Sequence, residues 1–136
     1  MVRKLLPVLI FTVLLLPNYV YALGLGDIHV DSTLNQKLDA RINLVSAVPE
    51  DAEVMIIKLA SQEEFLKAGI DRPHLLNSLK FKAVNENGQL FIKVTSSSPI
   101  REPSLNFLLD IDWPDGHMLR QYTVLLNPPV VSRTSE

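Results

Sequence analysis

Three histidines, His29, His74 and His117, are the side chains in this sequence best suited to metal ligation or proton transfer. They share neither a helical face nor a ligand spacing, so no metal site is predicted. Asp110 and Asp112 alternate with Leu109, Ile111 and Trp113. They therefore sit on one solvated face of a strand. A glycosidase needs two facing carboxylates about 5–10 Å apart in a cleft, which neighbours on one strand do not provide. Ser96, Ser97 and Ser98 lack the Gly-x-Ser-x-Gly surroundings of a nucleophile elbow. Gly24 and Gly26 have no strand before them and no helix after them, so they do not read as a phosphate loop. With no cysteine, thiol chemistry and cysteine-based metal sites are excluded. No catalytic residue and no cofactor are predicted.

The polar residues left over suit contact rather than chemistry. Arg101-Glu102-Pro103 precedes the most regular strand and is flanked by proline. It reads either as a local ion pair closing a loop or as a polar contact for a partner. Arg120 is placed to pair with Asp112 or Asp110 across a hairpin, a contact worth under about 1 kcal/mol. Arg101, Glu102 and Arg120 are the candidate partner contacts. Trp113, the single tryptophan, falls on the apolar face of its strand and is assigned to the core.

The elements that position these residues are mostly strands. Ile28, Val30, Ser32 and Leu34 alternate with His29, Asp31 and Thr33, and Leu38, Ala40, Ile42 and Leu44 alternate with Asp39, Arg41 and Asn43. Asn35-Gln36-Lys37 turns the chain between them. After a turn at Pro49-Glu50-Asp51, Val54-Met55-Ile56-Ile57 is apolar on both faces and is expected to be a central, fully covered strand. One helix interrupts the pattern. Ser61 caps it, Glu64 completes a capping box, Phe65, Leu66 and Ala68 form its buried side, and Gly69 closes it. Leu79, Phe81 and Ala83 run to Asn87-Gly88, a strong hairpin signal because both residues tolerate positive φ. Leu90, Ile92 and Val94 return, Ser96–Pro99 reads as a loop, and Leu105 to Trp113 alternates without a break. Pro114-Asp115-Gly116 turns into Tyr122, Val124 and Leu126. About seven strands with one short helical insertion predict a mainly β fold, an immunoglobulin-like antiparallel sandwich. The alternative is a meander sheet covered on one face by the helix. The doubly apolar segment 54–57 favours two sheets.

The first 22 residues are read as a cleavable signal peptide. Arg3 and Lys4 precede an apolar run from Leu5 to Leu16, Pro17-Asn18 ends it, and Val20-Tyr21-Ala22 suits cleavage after Ala22. Twelve residues make a helix of roughly 18 Å, too short for a hydrocarbon core of about 30 Å. Residues 23–129 are then the domain, and 130–136 a tail or the start of a linker. The chain has 13 basic and 15 acidic residues, and removal of Arg3 and Lys4 leaves a net charge of −4. That balance argues against nucleic acid, which needs a basic footprint, and against holding an anionic membrane by charge alone. No transmembrane helix is expected in the mature chain.

Ala22-Leu23-Gly24-Leu25-Gly26, with Ile28, Val30, Ser32, Leu34, Asn35 and Gln36, resembles the start of the mature N-terminal domain of FimV-type proteins. The run from Phe107 through Asp110-Ile111-Asp112-Trp113-Pro114-Asp115-Gly116, and then Leu119 to Pro129, resembles its closing hairpin. Val94-Thr95-Ser96 and Pro99-Ile100-Arg101-Glu102-Pro103 match the segment between. The resemblance covers nearly all of residues 23–129. Lys37 stands where that family usually has proline, and Ser104 where an aromatic is common. His117, Gln121 and Asn127 replace residues more often arginine, glutamate and aspartate. The resemblance implies a periplasmic domain of the Gram-negative envelope, associated with type IV pilus assembly, twitching motility and organisation of the cell pole. It also implies envelope or pilus-assembly proteins as partners, with peptidoglycan binding as the alternative role. Full-length relatives continue into a peptidoglycan-binding LysM module, a membrane helix and an acidic cytoplasmic part. This chain is then either a short member or the front piece of a longer one.

Overall fold

A computed structural model describes residues 24–45 and 49–129. The expected leader (1–22) and tail (130–136) lie outside them. Seven strands are present: β1 Gly24–Val30, β2 Lys37–Val45, β3 Ile56–Leu59, β4 Leu79–Glu86, β5 Gln89–Pro99, β6 Ser104–Trp113 and β7 Gly116–Leu125. They form two antiparallel sheets, a four-stranded one in the order β1-β2-β5-β4 and a three-stranded one in the order β3-β6-β7. This is the predicted sandwich, and it displaces the one-sheet alternative.

The alternation read from the sequence is what builds the core. Leu38, Ala40, Ile42 and Leu44 of β2 face Leu105, Phe107, Leu109 and Ile111 of β6 across the interior, all of them buried. Successive side chains of a strand point to opposite faces, so each strand gives one set to the interior and one to water. The Phe107 ring meets Phe81 at 5.8 Å and Tyr122 at 6.0 Å between centroids, distances typical of favourable aromatic pairs. The Asn87-Gly88 hairpin forms as expected, with φ of 53° and 84°, and the Asn85 side chain accepts the Gly88 N–H.

The helix α1, Gln62–Ala68, begins where predicted. Ser61 Oγ accepts the Glu64 N–H, and Gly69 closes the helix in the left-handed region at φ 71°. Its buried side is narrower than expected. Phe65 alone in α1 is buried, and Leu66 is 73% exposed. A seven-residue helix has room for one anchor. Arg72 lays its guanidinium over that anchor's ring.

Three strand assignments are corrected. β1 starts at Gly24 and ends at Val30, because the ladder with β2 accommodates the glycines through an irregularity between Leu25 and Ile28. The segment 54–57 is not a covered central strand. β3 begins at Ile56, pairs only with β6, and leaves Ile56 59% exposed. Val54 closes a 3-10 turn (Pro49–Glu53), where its N–H and that of Met55 both bond to the Asp51 carbonyl. The apolar run therefore straddles two elements. Finally, Ser96–Pro99 is the end of β5 and not a loop. Ser96 is buried, and its hydroxyl accepts the Leu38 N–H at 2.7 Å and donates to the Ser98 carbonyl at 2.6 Å. Those bonds sit where the β2–β5 register shifts, between Lys37 and Asp39. The hydroxyl replaces the ladder partner that the shift removes from Leu38.

Candidate functional site

The Arg101–Pro103 connection is fixed through its backbone. On one side Ile100 donates to the Gln36 carbonyl and accepts from Asn35; on the other, Leu126 donates to the Pro103 carbonyl. Ile100 itself is fully buried. The side chains of Arg101 and Glu102 are held outward on this anchored loop, and both are exposed. No ion pair joins them among the described residues. Glu102 borders a shallow cavity of about 410 Å³ shared with Ile70, Asp71, Pro73, Asn106 and Gln121.

Arg120 lies apart from that loop and is occupied. In the hairpin register it stands opposite Leu109, not Asp110 or Asp112, so the predicted cross-hairpin ion pair does not form. Residues opposite one another share a face, and Leu109 faces the core. Arg120 therefore reaches along the inner side of the open edge. Its guanidinium donates to the Leu25 carbonyl of β1 and covers the Tyr122 ring at 5.2 Å. Tyr122 adds a second tie, its hydroxyl donating to the Gly26 carbonyl at 2.9 Å. Together they fasten β7 to β1, closing the seam between the sheets.

Burial raises the Tyr122 phenol above its ordinary pKa of 10.0; the Arg120 charge opposes the rise and Asp27 adds to it. The folded state therefore holds this proton more tightly than the unfolded chain does. The contribution is intact below pH 10.0 and falls as pH rises past that value toward the higher folded-state pKa. Wild-type protein should lose stability through this window faster than Tyr122→Phe, which has no phenol to ionise. Urea unfolding of both proteins at neutral and strongly alkaline pH checks this. Parallel losses would remove Tyr122 as the cause.

The hairpin gathers three groups that the sequence leaves in separate classes. Asp110 and Asp112 share the outer face of β6, and Asp112 stands opposite His117 of β7. His117 Nε2 lies 2.8 Å from Asp110 Oδ1 and 4.0 Å from Asp112 Oδ1. One donor atom from each of the three falls within 4.8 Å of the others. The signal lies in the short Pro114-Asp115-Gly116 turn, whose register sets Asp112 opposite His117, a pairing that alternation within each strand does not show.

Among the described residues, no helix is long and apolar enough to cross a membrane. The sequence model of the family described as FimV N-terminal domain, an Ig-like domain, matches residues 23–129. Two curated relatives, both named motility hub protein FimV and both from Pseudomonas aeruginosa (strains PAO1 and UCBPP-PA14), are 51% identical to this chain over 113 residues. The alignment covers 82% of this chain but only 12% of each relative. No solved structure matches the chain. A family match over residues 23–129, with the two-sheet sandwich that the family description names, shows that the chain belongs to the FimV N-terminal domain family.

Proposed function

We propose that this domain is a non-catalytic, periplasmic protein-interaction module of a FimV-like motility protein, recruiting envelope or pilus-assembly components. The observation that carries the reading is the 51% identity to two motility hub proteins across the whole sandwich. The sandwich also offers a means of recruitment. β3 pairs on one side only, and its free edge borders an open groove of about 540 Å³ whose apolar wall is Met55, Ile56, Ile57, Phe81 and Ala83 and whose polar rim is Glu53, Lys82 and Asn85. An extended segment can add to such an edge through main-chain hydrogen bonds, with the groove receiving alternate side chains.

Affinity capture with residues 23–136 from a Gram-negative periplasmic extract tests the reading. The expected result is enrichment of an envelope or pilus-machinery protein over a matched control. Capture of nothing above background, or co-sedimentation with purified peptidoglycan in its place, overturns it.

A further inference from the structure

The outer face of the four-stranded sheet carries four basic side chains in one cross-strand row. Lys82 of β4 stands opposite Lys93 of β5, Lys93 opposite Arg41 of β2, and Arg41 opposite His29 of β1. All four are exposed. Strands lie about 4.8 Å apart, so the row spans roughly 14 Å. Like charges directly opposite one another destabilise a sheet, and here the opposition repeats across adjacent strands. Asp39 offsets it only weakly, reaching Lys93 at 4.0 Å with both side chains about half exposed. Among the described residues Lys82 has no carboxylate within ion-pair distance. General basicity does not explain the row, because the chain is net acidic.

The row is also braced. Phe91 alternates with the inward Leu90 and Ile92, so it points to this outer face, yet it is only 6% exposed. The Arg41 guanidinium covers its ring at 4.9 Å. Beside it lies a cavity of about 430 Å³ lined by Arg41, Asn43, Glu86, Asn87, Gln89 and Phe91; its amides can bond a polypeptide backbone, and Glu86 is the one acidic group on its wall.

We propose that this row is the docking site for an acidic polypeptide segment of a partner protein, laid across the strands. The proposal rests on the interaction-module reading and assigns it a face and a ligand chemistry. The three cations, Lys82, Lys93 and Arg41, are strung along a line and do not converge on a point, which suits several spaced carboxylates better than one compact anion. An extended segment rising about 3.3 Å per residue covers the row with four or five residues. An anionic bilayer fits less well, because it presents a broad plane of charge, whereas the row is a single line with Asp39 beside it.

The test uses residues 23–136 and a fluorescein-labelled oligo-glutamate peptide, with binding read by anisotropy. Wild type should bind, more weakly as salt rises, and Lys82→Glu should weaken binding about tenfold. Lys67→Glu, on α1 and away from both the row and the β3 edge, should leave binding unchanged. The same Lys82→Glu variant should melt about 2–4 °C higher, because an opposed pair of cations becomes an opposite-charge pair. A fold defect would lower both quantities together. No binding by wild type, equal weakening by Lys67→Glu, or binding of phosphatidylglycerol vesicles without binding of the peptide overturns the proposal. Undiminished partner capture by a Lys82→Glu domain would sink this row and leave the interaction-module reading standing. Failure of capture by wild type would sink that reading itself.

Discussion

Phe107→Ala should cost about 3–5 kcal/mol, the range for truncating a buried aromatic. Phe107 is fully buried at the middle of β6. Its ring touches Tyr122 on the neighbouring strand and Phe81 on the opposite sheet, so removing it opens a hole shared by both layers. Neither neighbour can collapse into that hole freely. Tyr122 is tied by its hydroxyl to Gly26, and Phe81 is held by the β4–β5 ladder. A domain of this size has about 5–15 kcal/mol of stability in all, so the loss takes a large share. Phe107→Leu keeps most of the volume and should cost well under half as much. Urea titration followed by Trp113 fluorescence gives both values. A Phe107→Ala loss no larger than that of Phe107→Leu would show that the ring does not bridge the sheets.

Ser96→Ala is the second large effect, about 1–3 kcal/mol for a substitution that deletes one oxygen. The magnitude comes from what is left behind. At the β2–β5 irregularity the Leu38 N–H has the Ser96 hydroxyl as its partner, and Leu38 is 2% exposed. Without the hydroxyl a buried donor loses its acceptor, and desolvation is no longer offset. Ser97→Ala, one residue on and exposed, should stay within about 0.5 kcal/mol. Equal effects at the two serines, by the same titration, would refute the account. Hydrogen exchange gives an independent reading, since the Leu38 amide should lose protection in Ser96→Ala ahead of its neighbours.

How far the fold was legible follows from what each signal needs. The β4–β5 and β6–β7 hairpins could be read because their turns are local: Asn87-Gly88 and Pro114-Asp115-Gly116 fix the bend. The helix boundaries could be read from Ser61 and Gly69 for the same reason. The segment 54–57 misled because an apolar run states only that cover is wanted, not which residues receive it. Ser96–Pro99 misled because serine-rich composition resembles a loop, while a bulge in a distant strand made one serine part of the core. Arg120 was placed on the wrong partners because its acceptor, the Leu25 carbonyl, lies 95 residues away in sequence. The row through His29 and Arg41 was invisible for a similar reason. Each residue sits correctly on the polar side of its own strand, but their alignment exists only once β1, β2 and β5 are in register.

The ties between β7 and β1 have a mechanical consequence. Arg120 and Tyr122 hold the start of β1, at Leu25 and Gly26, while Leu34, just past its end, bonds to the Asn127 carbonyl beyond β7. The two strands therefore run side by side in the same direction, with Gly24 at one end of the sandwich and Pro129 at the other. A pull applied between those two points acts along the strands. It strains the ties and the β1–β2 ladder in shear, all at once, instead of opening them one after another like a zip.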